Sequence, residues 1–162
     1  MAKEIERKFL VDNDGWRTDI TSATAFRQGY IASLEDRSMR IRIMNDSQAT
    51  LTIKIGASSL VRDEYEYEIP IDDAEELMST ALGIVIEKTR YTVEHLGFTW
   101  EIDIFEGLYQ GLVVAEVELK SVNDQPELPA WLGTEVTGDR RYSNQILATE
   151  DLSKELCHVL SH

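Results

Sequence analysis

The sequence predicts a mainly β protein of the α+β class, in which about eight antiparallel strands curl into a closed barrel flanked and plugged by short helices. One observation is that charged and apolar residues alternate with a period of two, which is typical of strands and not of helices. Another is that the charged residues of each segment share one face. If these charged faces turn inward, they line a tunnel with a charged interior, and a barrel of about eight strands is wide enough to hold one small ligand there. The alternating segments are 4–10, 40–43, 50–55, 62–69, 87–91, 100–105 and 114–120, and an eighth strand is predicted over 26–31.

The first segment shows the alternation most clearly. As a strand it places Glu4, Glu6 and Lys8 on one face, with Ile5 and Phe9 on the other. Two environments fit a face of two carboxylates and an ammonium group: a solvated edge, or the lining of a polar cavity that holds a metal ion and an anion. Because the pattern returns along the chain, the second environment is favoured.

The later segments separate their charges by sign. Arg40 and Arg42 share one strand, whereas Glu116 and Glu118 share another. Like charges two residues apart on a strand repel each other unless a counter-charge lies between them. A solvated face usually mixes its charges, so this separation favours an interior that binds divalent cations and a polyanion. The apolar faces then point outward and need helices to cover them.

Length, charge and cysteine content limit the class of protein. The chain has 162 residues, which predicts one domain over 1–162. Its formal charge of −14 disfavours a nucleic-acid partner, because duplex binding requires a basic surface. Cys157 is the only cysteine, so we expect a reduced compartment. With no apolar signal segment or membrane-spanning run, we expect a cytoplasmic protein without a membrane partner, as a monomer or a homodimer.

The segments between the strands predict turns and helices. Residues 13–25 are expected to be irregular or briefly helical. A helix should begin with Asp72 as its N-cap and Glu75 as the partner in a capping box, and Gly83 should end it. Hairpin turns are predicted at 56–59 and 95–97, a polar loop at 123–129, and a C-terminal helical region over 143–159 that is interrupted near 149–153.

The residue types on the charged face indicate a chemistry. Paired carboxylates supply the hard oxygen ligands that Mg²⁺ and Mn²⁺ prefer. Arginine side chains bind phosphate oxygens through two parallel hydrogen bonds, and lysines add point charges. Phosphoryl transfer mainly needs positioning and neutralisation of charge, and the sequence offers no Ser, Cys or His arrangement for nucleophilic catalysis. We therefore expect a small phosphorylated ligand held by metal ions and basic side chains.

The order of these motifs resembles the CYTH superfamily, the triphosphate tunnel metalloenzymes, which include adenylate cyclase-like and thiamine triphosphatase-like members. Glu4-x-Glu6-x-Lys8 is the hallmark of this family, and the match extends over nearly the whole chain. The resemblance implies an eight-stranded antiparallel tunnel that binds a triphosphate and requires Mg²⁺ or Mn²⁺. The other motifs that carry it are Arg40-x-Arg42, Lys54, Arg62-x-Glu64-x-Glu66, Lys88-x-Arg90, Asp103, Glu116-x-Glu118 and Tyr142-Ser143-Asn144.

The resemblance also implies roles for these residues. Lys8, Glu66 or a second metal ion is expected to activate the attacking water, and Glu4 and Glu6 belong to the same catalytic set. Glu64 is expected, with Glu66, to orient the cations or to bind a second metal. The implied metal ligands are Glu4, Glu6, Glu64, Asp103, Glu116 and Glu118. The implied substrate-binding residues are Lys8, Arg40, Arg42, Lys54, Arg62, Lys88 and Arg90.

One position departs from the family pattern. Many members carry a basic residue immediately before the Glu-Val-Thr sequence that begins here at Glu135, whereas this chain has Thr134. Arg140 or Arg141 is a candidate to replace that basic residue.

The reaction implied by the resemblance is hydrolysis of the terminal phosphoanhydride of inorganic tripolyphosphate. Three alternatives remain open: a class IV adenylate cyclase, a thiamine triphosphatase, and a non-catalytic module that binds polyphosphate or nucleotides. The cyclase and the thiamine triphosphatase need aromatic contacts to the organic part of the substrate. The candidates for such contacts are Trp16, Tyr30, Trp100 and Trp131.

Overall fold

The computed structural model describes residues 2–56 and 61–160, and within them the side chains of 5–56 and 61–157. These residues form nine strands, three short α-helices and three 3₁₀ turns. The strands are β1 (Ala2–Val11), β2 (Ile20–Ser33), β3 (Arg37–Met44), β4 (Gln48–Ile55), β5 (Val61–Ile69), β6 (Leu82–His95), β7 (Phe98–Phe105), β8 (Val113–Glu118) and β9 (Leu132–Glu135). The helices are α1 (Ile71–Met78), α2 (Asn144–Thr149) and α3 (Ser153–Leu160), and the 3₁₀ turns are Gly15–Asp19, Gly107–Tyr109 and Arg140–Tyr142.

Eight strands close into the predicted antiparallel barrel. Their order is β5-β4-β3-β2-β6-β7-β8-β1, and the first half of β1 pairs with β5 to complete the circle. The ninth strand, β9, pairs with the end of β1 outside the barrel and was not predicted. It is only four residues long and has little alternation, so the sequence carries no strand signal there.

The apolar faces of the strands point outward and are covered, as expected from their alternation. One cluster packs Ile41, Ile43 and Ala49 against Ala74 and Met78 of α1. A second groups outward-facing residues of β1, β6, β7 and β8 around Trp100, beneath the 3₁₀ turn Gly15–Asp19 and the segment before β9. Because both clusters lie on the outer side of the sheet, the inner side is left to the polar residues.

A third apolar cluster closes one end of the barrel. Tyr30, Ile86, Phe105 and Val114 lie near strand ends there, and Leu147 of α2 packs against them together with Leu156 of α3. The predicted interruption of the C-terminal helical region is confirmed, because α2 ends at Thr149 and α3 begins at Ser153. The side-chain oxygen of Ser143 caps α2 by accepting a hydrogen bond from the Ile146 backbone N–H.

Two predictions about the middle of the chain were wrong in detail. The N-cap of α1 is Pro70, which makes no side-chain hydrogen bond. Asp72 lies inside the first turn, where its negative charge interacts favourably with the positive end of the helix dipole. Gly83 does not end this helix. It lies in β6 with a φ of +62°, and a Cβ there would overlap the carbonyl oxygen of Ala148, so glycine permits α2 to approach the barrel.

The remaining connections largely follow the sequence. Leu96 and Gly97 form the predicted hairpin turn, both with positive φ as a tight turn between two strands requires. Residues 13–25 divide into the 3₁₀ turn and the unexpectedly early start of β2 at Ile20. The predicted turn over 56–59 lies outside the described residues except for Gly56. None of the described helices is long and apolar enough to cross a membrane.

Candidate active site

The strand registers bring the predicted charged residues together on the inner face of the barrel. Directly opposed pairs join β1 with β8, β4 with β5, and β6 with β7: Glu6 with Glu118, Lys8 with Glu116, Lys54 with Glu64, and Arg90 with Asp103. The backbone of Glu4 pairs with that of Arg62, and the Glu4 side chain lies outside the described ones. Buried charge is concentrated here, since Arg40, Arg42, Lys88, Asp103 and Glu116 are all at most 9% exposed.

The inner face is divided by sign into two halves of the barrel. In the neighbouring strands β4, β3, β2 and β6, the charged side chains among the predicted site residues are all basic. The other four neighbouring strands, β7, β8, β1 and β5, carry all the predicted carboxylates, together with Lys8 and Arg62. A triphosphate bound along the axis would therefore have cations on one side and carboxylates on the other. The basic residues of the first half are Lys54, Arg40, Arg42, Lys88 and Arg90.

Asp103 is the counter-ion of the basic half. Its Oδ1 accepts from Arg90 Nε at 2.7 Å, and its Oδ2 accepts from Arg90 Nη2 at 2.9 Å and from Lys88 Nζ at 2.6 Å. Burial alone would raise the pKa of Asp103, but Arg90 and Lys88 hold the pKa of this carboxyl well below its usual range. Because both oxygens are already bonded to cations, the geometry favours a positioning role for Asp103 over the predicted role of metal ligand.

The pKa values of the two cations that contact Asp103, Arg90 and Lys88, are shifted in opposite directions. Burial disfavours the charged form of Arg90, but Asp103 and Glu101 raise the pKa of Arg90 well above its usual value. Lys88 is fully buried, and burial together with the nearby charges of Arg90 and Arg42 lowers the pKa of Lys88 to about 7. At neutral pH the basic half therefore has a lysine whose charge an incoming polyanion would stabilise.

The acidic half has its own central pair, Glu6 and Glu116. Burial would raise the pKa of Glu116, but the charges of Lys8 and Arg90 and a hydrogen bond with Glu6 lower that pKa well below its usual value. Lys8 Nζ lies 3.4 Å from Glu116 Oε1. Burial also opposes the charge of Lys8, yet Glu116 and Glu6 raise the pKa of Lys8 above its usual value. Lys8 is thus held protonated beside two carboxyl groups.

The donor set of this half fits a hard divalent cation. Two neighbouring carboxylates repel each other when both are ionised, and a divalent cation bound between them would remove that repulsion. Glu118 is directly opposite Glu6 on the neighbouring strand and adds a third carboxylate to the same wall. Among the described residues, His, Cys, Asp and Glu side chains form no group of three or more close enough to bind a metal ion by themselves. Mg²⁺ commonly uses only one or two protein carboxylates and takes its other ligands from water and substrate phosphates.

The predicted second carboxylate group lies on β5. Glu64 Oε2 is 3.8 Å from Lys54 Nζ. Glu66 accepts a hydrogen bond from the Thr52 hydroxyl at 3.5 Å, and Thr52 in turn accepts one from Arg40 at 3.4 Å. These contacts fit the prediction that the two glutamates orient the basic residues.

The tunnel opens into a cavity of about 810 Å³ beside α2. Glu6, Lys8, Lys54 and Arg62 line its inner part, and Arg140 lines its rim. The segment before and at the start of α2 contacts two site lysines: Lys8 Nζ donates to the Tyr142 carbonyl at 2.9 Å, and Lys88 Nζ donates to Asn144 Oδ1 at 3.0 Å. The Tyr142-Ser143-Asn144 motif therefore contacts the site directly.

Arg140 and Arg141, the two candidates to replace the basic residue that this chain lacks at Thr134, differ in position. Arg140 is mostly exposed at the cavity rim and pairs with Glu150 at 2.9 Å. Arg141 is held by Asp139 and Glu155. Arg140 is therefore the better placed of the two to meet an anion that enters the cavity.

The three tryptophans proposed for an organic pocket lie on the wrong side of the barrel wall for contact with a ligand in the tunnel. Trp16, Trp100 and Trp131 belong to the outer apolar cluster, where the Trp16 ring packs at a tilt against Tyr91 and Trp100 contacts Trp131 edge to face. Tyr30 is the exception, because it lines the cavity. The described part of the site thus offers little aromatic surface to a nucleoside or thiamine.

Sequence reasoning missed the contribution of β2. Phe26 and Gln28 are almost fully buried, and both contact Arg42. They carry no charge, so the alternation of charges that located the other residues gave no signal at these positions. Phe26, Gln28 and Tyr30 are two residues apart along β2 and therefore share one face of the strand, which was the only indication in the sequence that they line the site.

The architecture and the charge pattern together define a member of a known family. Residues 2–148 match the family described as the CYTH domain, and the chain belongs to that family. A relative named inorganic triphosphatase from Acetivibrio thermocellus is 45% identical over 148 residues, covering 91% of this chain and 94% of the relative. A second relative of the same name, from Nitrosomonas europaea, is 37% identical over 151 residues, covering 90% and 96%. A crystal structure of an inorganic triphosphatase is 35% identical with a TM-score of 0.66, covering 92% of this chain and 96% of that one.

Proposed function

We propose that this protein is a metal-dependent triphosphatase that hydrolyses inorganic tripolyphosphate to phosphate and diphosphate inside its tunnel. The observation that carries the proposal is the division of the inner face into a basic half and an acidic half. A polyphosphate needs the first half for its own charges and the second for the cations that accompany it. The relatives named inorganic triphosphatase support the same substrate class.

The basic half holds the substrate. Arg40, Arg42 and Arg90 can each offer N–H groups to phosphate oxygens, and Lys54 and Lys88 add charge at the two ends of this wall. Asp103 keeps Arg90 and Lys88 in place before substrate binds. In phosphoryl transfer such positioning and neutralisation supply most of the catalysis, because the charge on the phosphate oxygens is already present in the substrate.

Glu6, Glu116 and Glu118, with Glu4, are the residues that would hold Mg²⁺ or Mn²⁺. The bound cation would neutralise phosphate charge and act as a Lewis acid that polarises the oxygens of the reacting phosphoryl group. Lys8 stays protonated because of Glu116 and Glu6, so it serves as a cation toward the substrate rather than as a base. We propose that Glu66, which contacts Arg40 through Thr52, accepts the proton of the attacking water. The bond to the bridging oxygen then breaks and diphosphate leaves.

Inorganic tripolyphosphate is preferred over organic triphosphates for a structural reason. The three tryptophans that could stack on a base or a thiamine ring are enclosed in the outer cluster. Discrimination against ATP then follows from the few aromatic contacts that the described residues offer its nucleoside rather than from exclusion, because the 810 Å³ cavity has room for a nucleoside.

Turnover of three substrates in parallel tests this proposal. With Mg²⁺ or Mn²⁺ present, we expect kcat/KM for tripolyphosphate to exceed the values for ATP and thiamine triphosphate by at least about tenfold. Chelation of the metal should abolish the activity. Cyclic AMP and diphosphate as the products from ATP would instead indicate the cyclase, and metal-dependent binding without turnover of any of the three would indicate a binding module.

A further inference from the structure

Strand β2 supplies the middle of the basic half, yet its inner face carries no charge. It lies between β3, which carries Arg40 and Arg42, and β6, which carries Lys88 and Arg90. The side chains that β2 places there are Phe26 and Gln28, which are 8% and 0% exposed. An apolar ring and a neutral amide at the centre of a cluster of cations need a physical explanation, because a carboxylate would offset more charge.

Gln28 forms the one side-chain hydrogen bond that fixes Arg42. The Gln28 Oε1 accepts from Arg42 Nε at 2.9 Å, across a directly opposed pair of the β2–β3 ladder. No other hydrogen bond of the Arg42 guanidinium is made to any described residue, so its two Nη groups keep their N–H donors available. The Gln28 Nε2 is buried and has no partner among the described atoms. The amide is therefore held in the site mainly by Arg42.

Phe26 lies between two guanidinium groups. The guanidinium carbon of Arg42 is 4.3 Å from the centroid of the Phe26 ring, and that of Arg90 is 5.1 Å from the same centroid. The face of an aromatic ring carries partial negative charge and attracts cations. Burial, and after it the charges of Arg40 and Arg90, lower the pKa of Arg42 to about 9, so repulsion among these arginines adds to the cost of burial. The ring offsets part of that repulsion and leaves the guanidinium N–H groups available. A carboxylate would instead accept hydrogen bonds from those groups.

We propose that Phe26 and Gln28 are positioning residues that hold the Arg42 guanidinium ready to bind a triphosphate oxygen through its Nη groups. This inference rests on the proposed function, because it names a further part of the same site. The advantage of the arrangement is pre-organisation: an arginine fixed before binding loses less conformational entropy when it meets the anion. A carboxylate in place of Gln28 would compete with the substrate for Arg42.

A mutant cycle between Gln28 and Arg42 tests the inference. Gln28→Met removes the acceptor at nearly constant length, and we expect KM for tripolyphosphate to rise about tenfold with kcat changed by less than about twofold. Arg42→Met is expected to fold, because it removes a buried cation that faces two others. In the Arg42→Met background, Gln28→Met should produce no further change in KM. Phe26→Leu should raise KM as Gln28→Met does, and Phe26→Tyr, which keeps the ring, should retain the wild-type KM.

The matched control is Arg27→Met. Arg27 lies between Phe26 and Gln28 but on the outer face, where it pairs with Glu75 at 2.7 Å. This variant should lose some thermal stability and keep its KM. Equal effects of Gln28→Met in the two backgrounds, or an unchanged KM in Gln28→Met, would overturn the inference by showing that Gln28 only packs.

The dissociation constant of tripolyphosphate without metal, measured by calorimetry for the same variants, separates this inference from the proposed function. If the wild type binds tripolyphosphate but does not hydrolyse it, the proposed function fails and the about tenfold loss of affinity in Gln28→Met still supports the inference. If the wild type does not bind tripolyphosphate at all, both are overturned.

Discussion

Replacing Asp103 with asparagine is expected to destabilise the barrel by about 3–5 kcal/mol, because it removes one partner of a buried ion pair and leaves the others unpaired. Asp103 is the shared counter-ion of Lys88 and Arg90, at contacts of 2.6–2.9 Å. For a chain of this size, that loss corresponds to a fall in melting temperature of roughly 10 °C. Differential scanning calorimetry in the absence of ligand measures it.

The pH dependence of this effect has a defined sign. The pKa of Asp103 is lowered in the folded protein, so its contribution to stability is fully present above its unfolded pKa of about 4. The contribution is lost as the pH falls below that value toward the folded pKa. The difference in stability between wild type and Asp103→Asn should therefore narrow below about pH 4, where Asp103 becomes protonated. It should also narrow as the pH rises through about 7, where Lys88 loses the charge that Asp103 stabilises.

Ligand and control measurements distinguish this explanation from a general packing defect. Tripolyphosphate supplies negative charge to the same cations, so it should raise the melting temperature of Asp103→Asn by more than it raises that of the wild type. Asp46→Asn is the matched control, because Asp46 is exposed and its contact with Arg27 is 3.5 Å long, and it should change stability by at most about 1 kcal/mol. An Asp103→Asn protein as stable as the control would contradict the counter-ion role.

Replacing Glu116 with glutamine is expected to reduce kcat by about 100-fold or more with Mg²⁺ or Mn²⁺ present. The substitution keeps the size of the side chain and removes the carboxylate that lies beside Glu6 and Lys8. Without metal, the affinity for tripolyphosphate should be retained or increased, because a negative charge has been removed from the tunnel. Turnover assays and metal-free calorimetry on the same preparation measure the two effects.

Glu94→Gln is the matched control for this substitution. Glu94 is exposed next to the β6–β7 hairpin turn and accepts hydrogen bonds from Thr99 rather than from a cation of the site, so its replacement should leave kcat unchanged. If Glu116→Gln lowered the metal-free affinity as strongly as it lowered kcat, Glu116 would act by orienting Lys8 rather than by holding the catalytic cation.

The sequence predicts the barrel well because the same signal is repeated on almost every strand. Alternation in segments such as 4–10 and 62–69 indicates both strand conformation and a shared charged face, and the closed barrel places those faces together. The separation of arginine strands from glutamate strands could also be read from the sequence. Their arrangement into two contiguous halves could not, because it depends on the order β4-β3-β2-β6, which local alternation does not determine.

Other features escaped prediction because they depend on tertiary contacts. Gly83 has the local appearance of a helix stop, but its positive φ and its closeness to Ala148 are consequences of how α2 packs on β6. The pairing of Asp103 with Arg90 and Lys88 depends on the β6–β7 register, which the sequence does not give. From the sequence alone, Asp103 is therefore predicted to be a metal ligand like the other carboxylates. Phe26 and Gln28 carry no charge and gain their importance only from the position of Arg42.

A crystal structure of the protein with tripolyphosphate and Mn²⁺ tests the central claim most directly, since the anomalous signal of manganese locates the metal independently. The proposal predicts the three phosphorus atoms on the tunnel axis, with their oxygens bonded to Arg40, Arg42 and Lys8, and a manganese peak on the carboxylates of Glu6 and Glu116. Tripolyphosphate bound only at the outer rim near Arg140, or manganese bound away from the β1–β8 wall, would contradict it.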